Sequence, residues 1–297
     1  MENKYKKGGQ IYAVLPLLIL MTTTIIGTIP VVLLGLLKLI PNKRWQDFCT
    51  RCVDVIATNW CSINNFYVNK IQNIQWEITG LNELNPKDWY LIIANHQSWL
   101  DIVILQKVFN RKIPVLKFFI KDQLKWVPVL GLAWWAMGCP FMKRYSKEYL
   151  AKYPHKQGQD LEATINAIDR FKRTPAAVMS FIEGTRFTQE KKQVQNSPHK
   201  HLLRPKAGGI SFILSSMGEQ LSSVLDVTIV YPQAQHSLWD FLCKRIKSIK
   251  VHIRQIPIPS EFTSKQLLED TKTQADFKDW LNQQWANKDN LITSLKY

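Results

Sequence analysis

From Ile11 to Leu37 the chain carries no charged residue. As a helix rising about 1.5 Å per residue the run would reach roughly 40 Å, against about 30 Å for the hydrocarbon core of a bilayer. The run is longer than a bilayer core is thick, so the segment is expected to belong in a membrane. A cleaved signal peptide is the competing explanation, but the run exceeds an ordinary signal h-region and no clear small-x-small cleavage site follows it. Pro30, with Gly27 close by, is expected to break the run into two shorter helices. Lys4, Lys6 and Lys7 precede the run, and Lys38, Lys43 and Arg44 follow it. A basic excess on both flanks gives no orientation by the positive-inside rule. It fits a re-entrant hairpin with both ends cytoplasmic, and leaves a single span open.

Between Trp45 and Tyr67 apolar residues recur at steps of three and four, as in an amphipathic helix facing lipid or the rest of the protein. Residues 1–75 are therefore expected to be membrane-attachment helices, and 76–297 a catalytic domain. Thirty-nine Lys and Arg against 23 Asp and Glu give a net charge of +16, which suits an anionic partner without saying which. Five scattered cysteines give no disulfide framework and fit a reducing compartment. Cys49 and Cys52 form a C-x-x-C without a second pair, and their spacing equally suits one face of a helix.

After Gly80, short apolar runs alternate with helical patterns, the texture of an α/β domain. Strands are expected at Leu91–Ala94, Val115–Ile120, Pro140–Met142, Ala176–Phe181, Val224–Val230 and Ile249–Ile253. In the last, Ile249, Val251 and Ile253 alternate with Lys250, His252 and Arg254, which predicts one buried and one basic face. Helices are expected over Ser98–Phe109, Leu161–Lys172 and Lys206–Met217, with Lys121–Met137 interrupted at Pro128 and Gly131. Tyr145–Asp160 reads as a polar insertion, and the stretch from Phe181 to Pro205 as a long polar loop. Ser264–Ile292 reads as helix with no chemical signal.

Asn95-His96-Gln97-Ser98-Trp99-Leu100-Asp101 stands where a buried strand ends and a helix begins, the place where open α/β sheets gather ligands. A histidine just before a helix and an aspartate in its opening turns can face each other. The carboxylate then fixes the imidazole tautomer, and His96 becomes a candidate general base. Alone the spacing is weak, since a histidine bonded to a nearby carboxylate is an ordinary structural feature. Phe181-Ile182-Glu183-Gly184-Thr185-Arg186 also follows a buried strand. Its arginine can grip a phosphate in a bidentate manner, and its glycine lets backbone approach a ligand, although a solvated turn has the same composition.

Together these elements resemble the glycerolipid acyltransferases of the PlsC type, which include the 1-acylglycerol-3-phosphate (lysophosphatidic acid) acyltransferases. Four blocks occur in the family's order. Asn95-His96 through Asp101 matches NHxSxxD. Lys121 through Trp126, Pro128 and Gly131 to Phe141-Met142-Lys143-Arg144 resembles the second block. Phe181–Arg186 is the third, with Ile182 where many members have proline, and Val230-Tyr231-Pro232 is the fourth. The resemblance implies a mixed sheet flanked by helices. It also implies that His96 deprotonates the acceptor hydroxyl while Asp101 orients it, and that the hydroxyl attacks an acyl thioester directly. Arg144, Arg186 and Lys121 would bind the substrate phosphate, with Glu183, Gly184 and Thr185 completing that site. Lys143, Arg204 and Lys206 are neighbours that a solvated surface explains equally well.

No enzyme nucleophile is required, and the chain has no G-x-S-x-G elbow; Ser98 reads as a helix cap. No metal and no cofactor are expected, acyl-CoA or acyl carrier protein being a donor substrate. The expected partners are membrane phospholipids, lysophosphatidic acid and the acyl donor, at the cytoplasmic face of a bacterial inner membrane. Another lysophospholipid acceptor, or a non-catalytic lipid-binding protein with the same fold, is the alternative. A nucleic-acid partner would account for the charge but not for the membrane segment, and no aromatic-basic binding signature is present.

Overall fold

The computed structural model describes residues 4–142, 159–234 and 236–296. Helix α1 (Lys4–Leu37) runs unbroken through Pro16 and Pro30, so the break expected at Pro30 does not occur. A proline removes one backbone bond, and packing on both flanks can hold a helix together across that gap. Here the packing comes from α2 (Lys43–Ile71), which turns back along α1. Thr23 bonds to Asn64 at 3.1 Å, and Gln46 donates to the Lys38 carbonyl at 3.1 Å. The hairpin is therefore made of two whole helices joined at residues 38–42. Asn42 caps α2 by accepting the Trp45 N–H.

Cys49, Val53 and Ala57 form the buried side of α2, which accounts for the C-x-x-C spacing as helix periodicity. Polar links tie α2 to the domain along its length, among them Asp54 with the buried Lys117, Asp47 with Arg173 at 3.2 Å, and Asn59 accepting from Arg111 at 2.7 Å. Both ends of the apolar stretch of α1 also rest on the domain. Ala13 lies inside the main apolar cluster. Gly35 lies so close to α4 (Leu130–Ala136) that a Cβ there would meet Ala136 at 2.7 Å. Between those ends Leu18, Ile26, Ile29 and Leu33 are more than half exposed.

The sheet is built from β1 (Gln75–Thr79), β2 (Tyr90–Ala94), β3 (Leu116–Phe118), β6 (Ala177–Phe181), β7 (Ser223–Val230) and β8 (Ser248–Ile256), in the order β1-β8-β7-β2-β6-β3. All neighbouring pairs are parallel except β7 and β8, which makes the sheet mixed, as expected. Tyr90, Ile92 and Ala94 face one apolar cluster while Leu91 and Ile93 face the other. That double burial explains the unbroken apolar run. In β8, Ile249, Val251 and Ile253 are buried, as the alternation predicts. A separate pair, β4 (Ile120–Lys121) and β5 (Phe141–Met142), lies beyond β3.

Helices α3 (Leu100–Phe109), α5 (Gln159–Phe171), α7 (Gly208–Met217), α8 (Leu238–Leu242), α9 (Gln266–Glu269) and α10 (Thr271–Lys296) complete the fold. Several elements depart from the sequence reading. Neither β1 nor α8 is expected from it, and the stretch expected as one helix over Ser264–Ile292 is divided into α9 and α10. The polar stretch before Pro205 contains α6 (Gln189–Val194), started by Thr188 accepting the Lys191 N–H at 3.2 Å. α7 begins at Gly208 rather than Lys206. The expected insertion at Tyr145–Asp160 lies, but for its last two residues, outside the described residues.

Candidate active site

β7, β2 and β6 lie side by side and parallel, with Ala94 in register with Phe181 on one side and Val227 on the other. Their C-terminal ends therefore open together. His96 follows β2 by two residues, Glu183 follows β6 by two, and Tyr231 follows β7 directly.

Asp101, fully buried in the first turn of α3, is held from four directions. Its Oδ2 faces His96 Nδ1 at 2.8 Å and accepts the Gln97 and Ser98 N–H groups at 2.6 and 2.8 Å. Its Oδ1 accepts the Tyr231 hydroxyl at 2.6 Å. A carboxylate so supplied with donors leaves Nδ1 only the donor role, and the lone pair of the imidazole is then on Nε2. The His96 side chain keeps 13% of its surface open to solvent.

The imidazole is fixed in three further ways. It stacks on Phe181 with ring centroids 3.8 Å apart and planes 13° from parallel. The His96 N–H donates to Glu183 Oε1 at 2.8 Å, and the His96 carbonyl accepts the Phe187 N–H at 2.7 Å. Asn95 exchanges both of its amide groups with the backbone of Ile229, at 2.8 and 2.9 Å, joining this loop to β7. Ser98 Oγ accepts the Leu100 N–H at 3.1 Å in the turn that leads into α3, but the cap position of that helix is Trp99, so Ser98 is not the helix cap expected from the sequence.

Glu183 is completely buried, and its second oxygen accepts the Leu203 N–H at 2.8 Å. Burial pushes its carboxyl up from 4.5 to about 7, against the two backbone N–H groups and Lys288, which pull it down. With both oxygens occupied, Glu183 clamps two loops together and does not face a phosphate. Gly184 has φ +71°, a left-handed conformation that disfavours any side chain. Thr185 Oγ1 accepts from Lys191 at 2.7 Å. The exposed Arg186 lies 5.2 Å from the ring centroid of Trp99, beside His96 in the first motif.

The other candidates spread out. Lys121 is exposed on the small two-stranded sheet, and Arg144 and Lys143 lie outside the described residues. Lys206 borders Gly184, whereas Arg204 is spent on the carbonyls of Gln195 and Asn196. Tyr231 stands in a recognised block to which the sequence assigns no role, and the only sign of the partners that α10 supplies is a pair of charges, Lys288 and Asp289, in its apolar stripe. An open, mostly apolar pocket lies between the helical hairpin, the end of α3 and α4, lined by Gly27, Trp60, Phe109, Leu116 and Trp134. His96 and Asp101 are not on its walls. Among the described residues no cluster of His, Cys, Asp or Glu fit for a metal occurs.

The family model described as Acyltransferase matches residues 75–232. The chain is 24% identical over 306 residues to mouse 1-acyl-sn-glycerol-3-phosphate acyltransferase epsilon, covering 92% of this chain and 76% of that protein. It is 23% identical over 267 residues to chicken lysocardiolipin acyltransferase 1, covering 84% and 64%. The crystal structure of PlsC, the 1-acyl-sn-glycerophosphate acyltransferase from Thermotoga maritima, superimposes with a TM-score of 0.49 at 15% identity, covering 93% and 98% of the two chains. The family match opens at β1 and closes just after Tyr231, and so takes in every loop that meets at His96; the chain belongs to the acyltransferase family.

Proposed function

We propose that this acyltransferase moves a fatty acyl group from an acyl thioester, acyl-CoA or acyl carrier protein, to the sn-2 hydroxyl of lysophosphatidic acid, giving phosphatidic acid. The observation that carries the reading is the His96–Asp101 contact of 2.8 Å, with Nε2 left as the acceptor. His96 Nε2 takes the proton of the acceptor hydroxyl as its oxygen attacks the thioester carbonyl. The tetrahedral intermediate then collapses with cleavage of the carbon–sulfur bond, and the departing thiolate receives that proton from His96. Asp101 stabilises the imidazolium in between, and Tyr231 holds Asp101.

Arg186 is the phosphate ligand in this reading. It is exposed, it stands beside Trp99 in the histidine motif, and a guanidinium matches a phosphate with two parallel hydrogen bonds. Names among the relatives support an acceptor of the lysophospholipid kind, and the lysocardiolipin acyltransferase keeps a larger acceptor as the second reading. Both substrates partition into lipid at about 0.8 kcal/mol per buried CH₂, which is reason for the enzyme to sit on a membrane. With both ends of α1 resting on one domain, the apolar helix lies along one leaflet in this proposal rather than crossing to the other side. An acceptor panel tests the assignment. Lysophosphatidic acid is expected to be acylated faster than lysocardiolipin or lysophosphatidylcholine at equal surface concentration, and the reverse order would hand the site to the larger acceptor.

A further inference from the structure

We infer that the C-terminal helix α10 is a working part of the catalytic site: through Trp285, Lys288 and Asp289 it sets the position of the His96 backbone, so these three are positioning residues for acyl transfer. The inference rests on the acyl-transfer reading above. Helix α10 lies wholly beyond the segment matched to the family.

The buried face of α10 is an apolar stripe of Phe277, Leu281, Trp285 and Ile292, interrupted by Lys288 and Asp289 at 1% and 8% exposure. Packing alone gives no reason to bury two charges, because each must be compensated by a partner. Their partners run toward the site. Asp289 accepts the backbone N–H groups of Lys200 and His201 at 2.6 and 2.7 Å, and Trp285 Nε1 donates to the Leu203 carbonyl at 2.9 Å. The segment from 200 to 203 is thus hung on α10. Its Leu203 N–H holds one oxygen of Glu183, and the other oxygen holds the His96 N–H, both at 2.8 Å. One short loop segment and one carboxylate separate α10 from the catalytic histidine.

Lys288 acts on the same carboxylate through its charge. Its ammonium pairs with Asp226 at 2.7 Å and donates to the carbonyl of Val227, whose register partner Ala94 lies two residues before His96. The charged groups that act on Glu183 are Lys288 from α10 and Asp101 from α3, with Lys206 bordering the adjoining glycine; Asp226 on β7 and Arg254 on β8 face Lys288. With Glu183 ionised, both oxygens accept. Once protonated, one of them would aim a hydrogen at a backbone N–H, and the clamp on His96 or on Leu203 would loosen. Lys288 favours the ionised form.

Two variants test this: Asp289→Asn, and Asp226→Asn with Lys288→Met, which removes both members of the buried pair together and leaves the part-exposed Arg254 with Gln284 as its partner. Amide hydrogen exchange of peptides covering residues 94–98 and 200–203 is measured alongside kinetics and thermal melting. In both variants exchange is expected to rise in both peptides. The kcat is expected to fall by about 10- to 100-fold, as small misplacements of a catalytic group do, with KM for the acceptor within about twofold. The acid limb of the pH–rate profile should move to higher pH in the double variant and stay in place in Asp289→Asn, which leaves Lys288 untouched. Wild-type exchange and wild-type kcat in Asp289→Asn overturn the inference, and so does an activity loss that only follows the fraction of folded protein. If the double variant does not fold, Asp289→Asn decides alone. A wild-type enzyme silent toward every donor and acceptor sinks the acyl-transfer reading, while the exchange result still decides whether α10 is coupled to the histidine loop.

Discussion

The Tyr231 hydroxyl donates a 2.6 Å hydrogen bond to Oδ1 of Asp101, the oxygen that His96 does not use. Asp101 comes from α3 and Tyr231 from the end of β7, so the orienting carboxylate is fixed by two elements far apart in sequence. Tyr231→Phe keeps the ring and leaves a buried carboxylate oxygen short of a donor. Stability should drop by about 1–3 kcal/mol and kcat by about tenfold, with little change in KM. Thermal melting and steady-state kinetics check both. An unchanged kcat would mean that the two backbone N–H groups hold Asp101 without Tyr231.

Glu183 makes stability depend on pH in a defined direction. Its carboxyl is held up to about 7 in the folded protein against an ordinary 4.5. Burial therefore costs the ionised form more than its two N–H bonds return, so protonation favours folding even though it loosens the clamp on His96 or Leu203. That contribution is fully present below about pH 4.5 and is lost as pH rises through about 7. Glu183→Gln has no such proton, so the difference in Tm between wild type and variant should shrink as pH is raised across this window. A difference that grows with pH would show that the carboxylate, and not the acid, is the form the fold prefers.

Arg186→Ala should act mainly on acceptor affinity. A charge-assisted bond to phosphate contributes about 1.5–3 kcal/mol, so kcat/KM should fall by roughly 10- to 100-fold, most of it in KM. Arg186→Lys should recover part of the loss. A variant with normal KM would move the phosphate site toward Lys121 and Arg144.

If α1 lies along one leaflet, both of its ends face the same side of the membrane. With the native cysteines replaced, Lys7→Cys and Asn42→Cys in sealed vesicles should both react with a membrane-impermeant thiol reagent added on one side, and both resist it on the other. Labelling of the two positions from opposite sides would establish a single span.

Much of the catalytic end was legible because its chemistry is local. His96 and Asp101 are five residues apart at a strand-to-helix turn, and Glu183 through Arg186 follow a strand that reads as buried. β1 left a readable signal, Ile74, Trp76 and Ile78 alternating with Gln75, Glu77 and Thr79 and packing on the core, but the strand is only five residues long and follows directly on the helical pattern of α2. The continuity of α1 through Pro30 depends on α2, and local propensity does not report a partner helix. Lys288 and Asp289 show the same limit at the site. Their partners lie 61 and 89 residues away, and only the two charges breaking an apolar stripe at Phe277, Leu281, Trp285 and Ile292 marked the place.

The most direct test of the central claim is acyl transfer from a labelled acyl thioester to lysophosphatidic acid in liposomes, comparing wild type with His96→Ala at matched folded protein. A general base contributes about 10²–10⁴-fold, so wild type should yield labelled phosphatidic acid and the variant at least a hundredfold less. Equal product from both would contradict the role given to His96. No product from either, across several donors and acceptors, would contradict acyl transfer itself.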